Sequence, residues 1–120
     1  MFEVSIDGKK VKAEVTFYTA QLYEAEFRSD IIKDLFGEQN AGSVIDFSGD
    51  DVIRIDFTKV NWTAMMKVLW AAVKTADDST PGYTEWMKRT KGLNLWLVQE
   101  MIGAEVADCF FRAEAAGEEA

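Results

Sequence analysis

Asp77-Asp78 is the pair best suited to chemistry in this chain, because adjacent carboxylates can divide acid and base roles or hold a hard cation. The pair falls between a long helical pattern and Ser79-Thr80-Pro81, where Asp and Ser are ordinary turn formers. A solvated turn accounts for it. The helix dipole disfavours acids at a C-terminus by only a few tenths of a kcal/mol to about one. Asp50-Asp51 does not follow a calcium-loop pattern and reads as a loop tip. The single cysteine, Cys109, shares a helical arc with Leu95, Val98, Ile102 and Val106, the position of a small buried hydrophobe rather than a nucleophile. The chain contains no histidine, which removes the commonest general base and the commonest metal ligand together. Trp62, Trp70, Trp86 and Trp96 could build a ligand cage, but tryptophan at helical spacing reads first as core. No phosphate loop, zinc spacing or nucleophile motif is present. The expectation is a protein without catalytic residues, cofactor or metal, and so not an enzyme.

Composition narrows the partners. With 120 residues, 48% of them apolar, the chain can bury the core of one domain and is too apolar to stay disordered. A net charge of −8 argues against binding the phosphates of nucleic acid or an anionic membrane. The apolar runs are far short of a membrane span, and the first residues lack the apolar stretch of a signal peptide. One cysteine suits a reducing cytoplasm.

The elements that would position any site are legible from period and punctuation. Residues 2–17 read as a hairpin about a type I′ turn at Asp7-Gly8, pairing Ile6 with Lys9, Val4 with Val11 and Phe2 with Ala13, and setting Glu3 opposite Lys12. Thr19 to Phe27 reads as a short helix, and Ser29 can cap a second carrying Ile31, Ile32, Leu35 and Phe36 before Gly37. Residues 38–51 read as a surface loop. Val52 to Phe57 alternates as a third strand would; a second hairpin pairing Val44–Phe47 with Val52–Ile55 sets Ile45 opposite Arg54 and mixes the faces. Asn61 caps the strongest helical pattern, in which Trp62, Met65, Met66, Leu69, Trp70, Val73 and Ala76 share one arc and small residues flank it, so it packs on more than one side. Thr80-Pro81 reads as the start of a helix carrying Tyr83, Trp86 and Met87, ended by Gly92. Asn94 caps the last helix, from Leu95 to about Arg112. The fold class is α+β: an N-terminal β-hairpin, with room for a third strand, packed on about five helices. Residues 1–112 form the domain and the acidic 113–120 a fraying tail.

The last helix carries two apolar stripes. Leu95, Val98, Ile102, Val106, Cys109 and Phe110 make one; Leu97, Met101, Ala104 and Phe111 lie nearly opposite. A second stripe means either burial on both sides or a surface kept for a partner. The alternative partner surface is the Tyr83–Trp86–Met87 helix.

Three segments resemble the tail assembly chaperones of long-tailed phages and prophages. They are Phe2-Glu-Val-Ser-Ile-Asp-Gly-Lys with Phe17 to Phe27, then Ile55 to Trp62 running into Val68 to Pro81, and Gly92 to Trp96 running on to Asp108-Cys-Phe-Phe-Arg112. The resemblance implies a non-enzymatic cytoplasmic protein that binds the tape measure protein, assists polymerisation of the major tail tube protein, and is absent from the mature virion. In that family a frameshifted longer form recruits tube subunits, and the length here matches the short form. It also implies surfaces for a helical client or for further copies of the chain. The contrasting reading is a structural phage component such as a head–tail connector subunit.

Overall fold

A computed structural model describes residues 1–36, 45–46, 54–55 and 61–111. The expected stop at Gly37, the outer residues of the expected 44–47 and 52–57 strands, Arg112 and the tail 113–120 lie outside the described residues.

β1 (Phe2–Ile6) and β2 (Lys9–Ala13) form the expected hairpin, with Phe2↔Ala13, Glu3↔Lys12, Val4↔Val11 and Ile6↔Lys9 in register. Asp7 at φ 53° and Gly8 at φ 79° are both left-handed, as a type I′ turn requires. Alternation puts Val4, Ile6 and Ala13 into the core. The Asp7 carboxylate has a second task, accepting hydrogen bonds from the main-chain N–H groups of Lys91 and Gly92. A Cβ on Gly8 would meet nothing within 4 Å, so any penalty there is conformational. Gly8→Val should therefore lower stability by roughly 1 kcal/mol or more, read as a lower urea midpoint with unchanged m-value.

α1 (Phe17–Phe27) starts two residues earlier than its apolar spacing suggested, because Thr16 and Thr19 form a reciprocal capping box. α2 (Ile31–Phe36) is capped by Asp30, whose Oδ1 accepts from the N–H groups of Ile32 and Lys33. Ser29, the expected cap, instead donates to Asp34 Oδ1 at 2.7 Å. The buried Tyr23 hydroxyl donates to the other oxygen of Asp34 at 2.7 Å, which ties α1 to α2. Burial first, and the Asp34 carboxylate second, push the Tyr23 hydroxyl far above its ordinary pKa, so it stays a donor.

β3 (Ile45–Asp46) and β4 (Arg54–Ile55) pair with each other antiparallel, as a two-stranded sheet separate from the hairpin. The register is one residue away from the expected one. Ile45 opposes Ile55 and Asp46 opposes Arg54.

α3 (Trp62–Ala76) is the axis of the molecule. Asn61 Oδ1 accepts from the N–H groups of Thr63 and Ala64, as its capping role predicts. The helix contacts β2, α1, α2, α4 (Tyr83–Arg89) and α5 (Leu95–Phe111). Every residue from Val68 to Val73 is buried, so the Ala71-Ala72 flank is core and not surface. Small side chains there let β2 approach closely enough for Glu14 N–H to bond Ala72 O at 3.0 Å. Trp70 anchors an aromatic cluster: its ring meets Phe27 edge-on at 5.6 Å and Tyr83 at 6.2 Å, and its Nε1–H donates to Pro81 O at 2.8 Å.

The turn after α3 departs from expectation. Thr80 is not a helix cap: its hydroxyl donates to Asp77 O, and its carbonyl accepts from Lys74 Nζ at 2.8 Å. With Thr80 and Pro81 occupied in this way, α4 begins after Gly82 and ends at Arg89, and its C-cap Thr90 lies two residues before the expected Gly92. Asn94 does cap α5, accepting from the N–H groups of Trp96 and Leu97.

Candidate functional site

The two stripes of α5 have different fates. Val98, Ile102, Val106 and Ala107 are buried against the core, while Cys109 and Phe110 are half-buried. Burial, with Glu105 nearby, raises the Cys109 thiol pKa, which disfavours the nucleophilic thiolate. Of the opposite stripe, Leu97 is 53% exposed, Ala104 is exposed and Met101 is half-buried. Phe111 ends the helix, and its side chain lies outside the described residues.

Sequence periodicity missed one feature of this surface. Leu95, placed on the core arc by spacing, is 41% exposed, and Trp96, read as core, is 61% exposed. With Leu97 they make three consecutive exposed large apolar side chains on the first turn of α5. Such a run is unfavourable in water unless something covers it.

Below Leu97 the helix faces the hairpin across a cleft of about 270 Å³, with Val4 and Val98 at its base and Met101 on its wall. Glu3 stands on the strand side and Lys10 at the turn end. A second depression continues along Phe2, Met101 and Ala104 between Glu100 and Glu105.

The alternative surface on α4 is mostly core. Trp86 is buried, and Tyr83 is half-buried with its ring 4.9 Å from Phe27 and 6.4 Å from Trp86. Only Met87 of that trio is exposed, beside Met66 and Leu95 in a shallow depression. Trp86 therefore serves packing, because the α4 face that carries it turns onto α3.

Asp77 and Asp78 sit in the exposed turn after α3. Asp77 Oδ1 accepts from the Ser79 hydroxyl at 2.6 Å and from its N–H at 3.0 Å, and these bonds hold the carboxyl below the usual carboxylate range. Among the described residues no group of three or more acids or cysteines converges to hold a metal. The depressed pKa fixes a sign. The stabilisation from Asp77 is fully present above the ordinary carboxylate pKa and is lost as pH falls through its own lower value. Asp77→Asn should lower the melt slightly at neutral pH, and the two proteins should converge as the pH falls through about 5 to 2, because the wild type loses there what the variant never had. Tight Ca²⁺ binding lost in this variant would show instead that the turn is a cation site.

Compared with family models, curated proteins and solved structures, the chain matches none. No helix of the described residues is long and apolar enough to cross a membrane. The surface geometry therefore carries the functional argument.

Proposed function

We propose that the chain is a tail assembly chaperone of a long-tailed phage or prophage, acting without catalysis in the bacterial cytoplasm. Its client is the tape measure protein, and it assists assembly of the major tail tube protein, for which a longer frameshifted form supplies the recruiting segment. The observation that carries this reading is the exposed apolar stripe of α5 at Leu97 and Ala104, with exposed Leu95 beside it. An exposed apolar face on an otherwise well-packed domain is suited to shielding a partner's apolar surface. Met101 adds an adaptable side chain that can follow an irregular client. The net charge of −8 keeps such a protein soluble while the face is uncovered. The resemblance of the three segments quoted above names the client. Lateral association of copies along a long client would use the same face.

Co-expression with the tape measure protein encoded beside it tests the proposal. The wild-type chain should keep that protein soluble. Leu97→Glu with Ala104→Glu, both exposed and so harmless to the fold, should send most of it to the pellet. Mass spectrometry of purified virions should not find the chain. Stoichiometric recovery from virions would replace this reading with a connector subunit.

A further inference from the structure

We propose that the cleft between β1 and α5 binds an extended, basic peptide segment as an added strand on the open edge of β1. This inference does not rest on the chaperone reading, which concerns a helical client on α5, although Leu97 and Met101 border both surfaces.

The hairpin's two edges differ. β2 lies against α3, and Glu14 N–H is bonded to a helix carbonyl. On the β1 side, a single antiparallel bridge joins Ile6 to Leu93, supported by Asp7 N–H donating to Gly92 O at 2.7 Å. Asn94 then caps α5 and the chain leaves the edge. N-terminal to that bridge, no strand among the described residues other than β2 pairs with β1. Antiparallel ladders alternate, so the residues that bond β2 are Phe2, Val4 and Ile6, while Glu3, Ser5 and Asp7 direct their main-chain groups outward. The Asp7–Gly92 bond verifies that parity. Glu3 therefore presents an N–H and a C=O, and Ser5 an N–H, along the line that the 92–93 segment begins and abandons.

The cleft supplies what an added strand needs besides hydrogen bonds. A helix beside an open strand edge is the arrangement in which main-chain bonds provide affinity and side-chain pockets provide specificity. Val4 and Val98 form an apolar base, and Leu97 and Met101 form the helix wall. An incoming segment of about five residues would set alternate side chains onto that base and wall. The intervening ones would face Glu3 and, farther along, Glu100. Lysine or arginine at those positions is favoured by the carboxylates, with Lys10 confining the basic stretch away from the turn end. The same charges disfavour two other occupants of this edge: a second copy pairing β1 with β1 would bring its own Glu3 to it, and the chain's own 113–120 segment is acidic.

The test selects a displayed library of random twelve-residue peptides on the full chain, with counter-selection on Leu97→Lys, which removes the apolar wall and repels a basic segment. The expected winners alternate apolar residues with lysine or arginine and lack proline within the alternating stretch. For a synthesised winner, N-methylating the amides that face β1 should weaken binding about tenfold or more, whereas methylating the outward amides should leave it within about twofold. Amide exchange at Glu3 and Ser5 should slow on binding. Four results would overturn the proposal: no enrichment over the Leu97→Lys variant, winners with apolar residues at i, i+3 and i+7, equal effects of the two methylation patterns, or unchanged exchange at Glu3 and Ser5.

Discussion

Trp70→Ala should cost about 3–5 kcal/mol, the largest loss expected from a single side chain in this domain. The indole is fully enclosed, meets Phe27 and Tyr83 edge-on, and satisfies Pro81 O through Nε1–H. Truncation leaves a cavity at the junction of α1, α3 and α4 and strands a carbonyl beneath the Thr80–Pro81 turn. A domain of this size has a total stability on the order of 5–15 kcal/mol, so the variant should be marginally folded at 37 °C. Urea unfolding followed by circular dichroism gives the difference directly. Trp70→Phe separates the contributions, since it keeps most of the ring packing and loses the hydrogen bond, for about 1–2 kcal/mol. A loss below about 1 kcal/mol for Trp70→Ala would mean that the aromatic cluster is loosely packed and that α4 is not held by it.

Gln99→Met should act in the opposite direction, raising stability by about 1–3 kcal/mol. Gln99 is 0% exposed, and neither Nε2 nor Oε1 has a hydrogen-bond partner among the described residues. An unpaired amide in a core forfeits its hydration without compensation, and methionine replaces it with an apolar chain of similar length. The measurement is a thermal melt, which should rise by several degrees. No change, or a fall, would show that an ordered water satisfies the amide and that its removal offsets the gain. Gln99 borders no cleft described above, so the substitution should leave peptide and client binding unaltered.

Gln99 also shows how far sequence reasoning reaches. Its position on α5, between Val98 and Ile102, places it on the buried arc, yet a polar residue there reads as the edge of the arc. Only the width of the covering surface decides that it is enclosed, and that width is a property of how α3 and the hairpin meet the helix. The same limit explains Trp86 and Trp96. Both are tryptophans in short-range helical patterns, but one is 7% exposed and the other 61%.

Local chemistry determined the rest. The Asp7-Gly8 turn and the alternation beside it specified the hairpin register residue by residue, because a two-residue loop and a period of two leave no other alignment. Asn61 and Asn94 announced two helix starts, since an Asn side chain can bond the first free N–H groups wherever the chain is placed. The breadth of the α3 pattern foretold burial on several sides. Choices among equivalent local solutions needed the tertiary structure. Asp30 took the cap that Ser29 could have filled, because Asp34 draws the Ser29 hydroxyl away. Thr80 was held by Asp77 and Lys74 and so did not start a helix. The one-residue shift of β3 against β4 depends on pairing across a connection too long to dictate register. Above all, the sequence by itself determined that α5 has two apolar stripes. Only the packing of the hairpin and α3 decided which stripe is core, because amphipathicity marks faces, whereas burial depends on what comes to meet them.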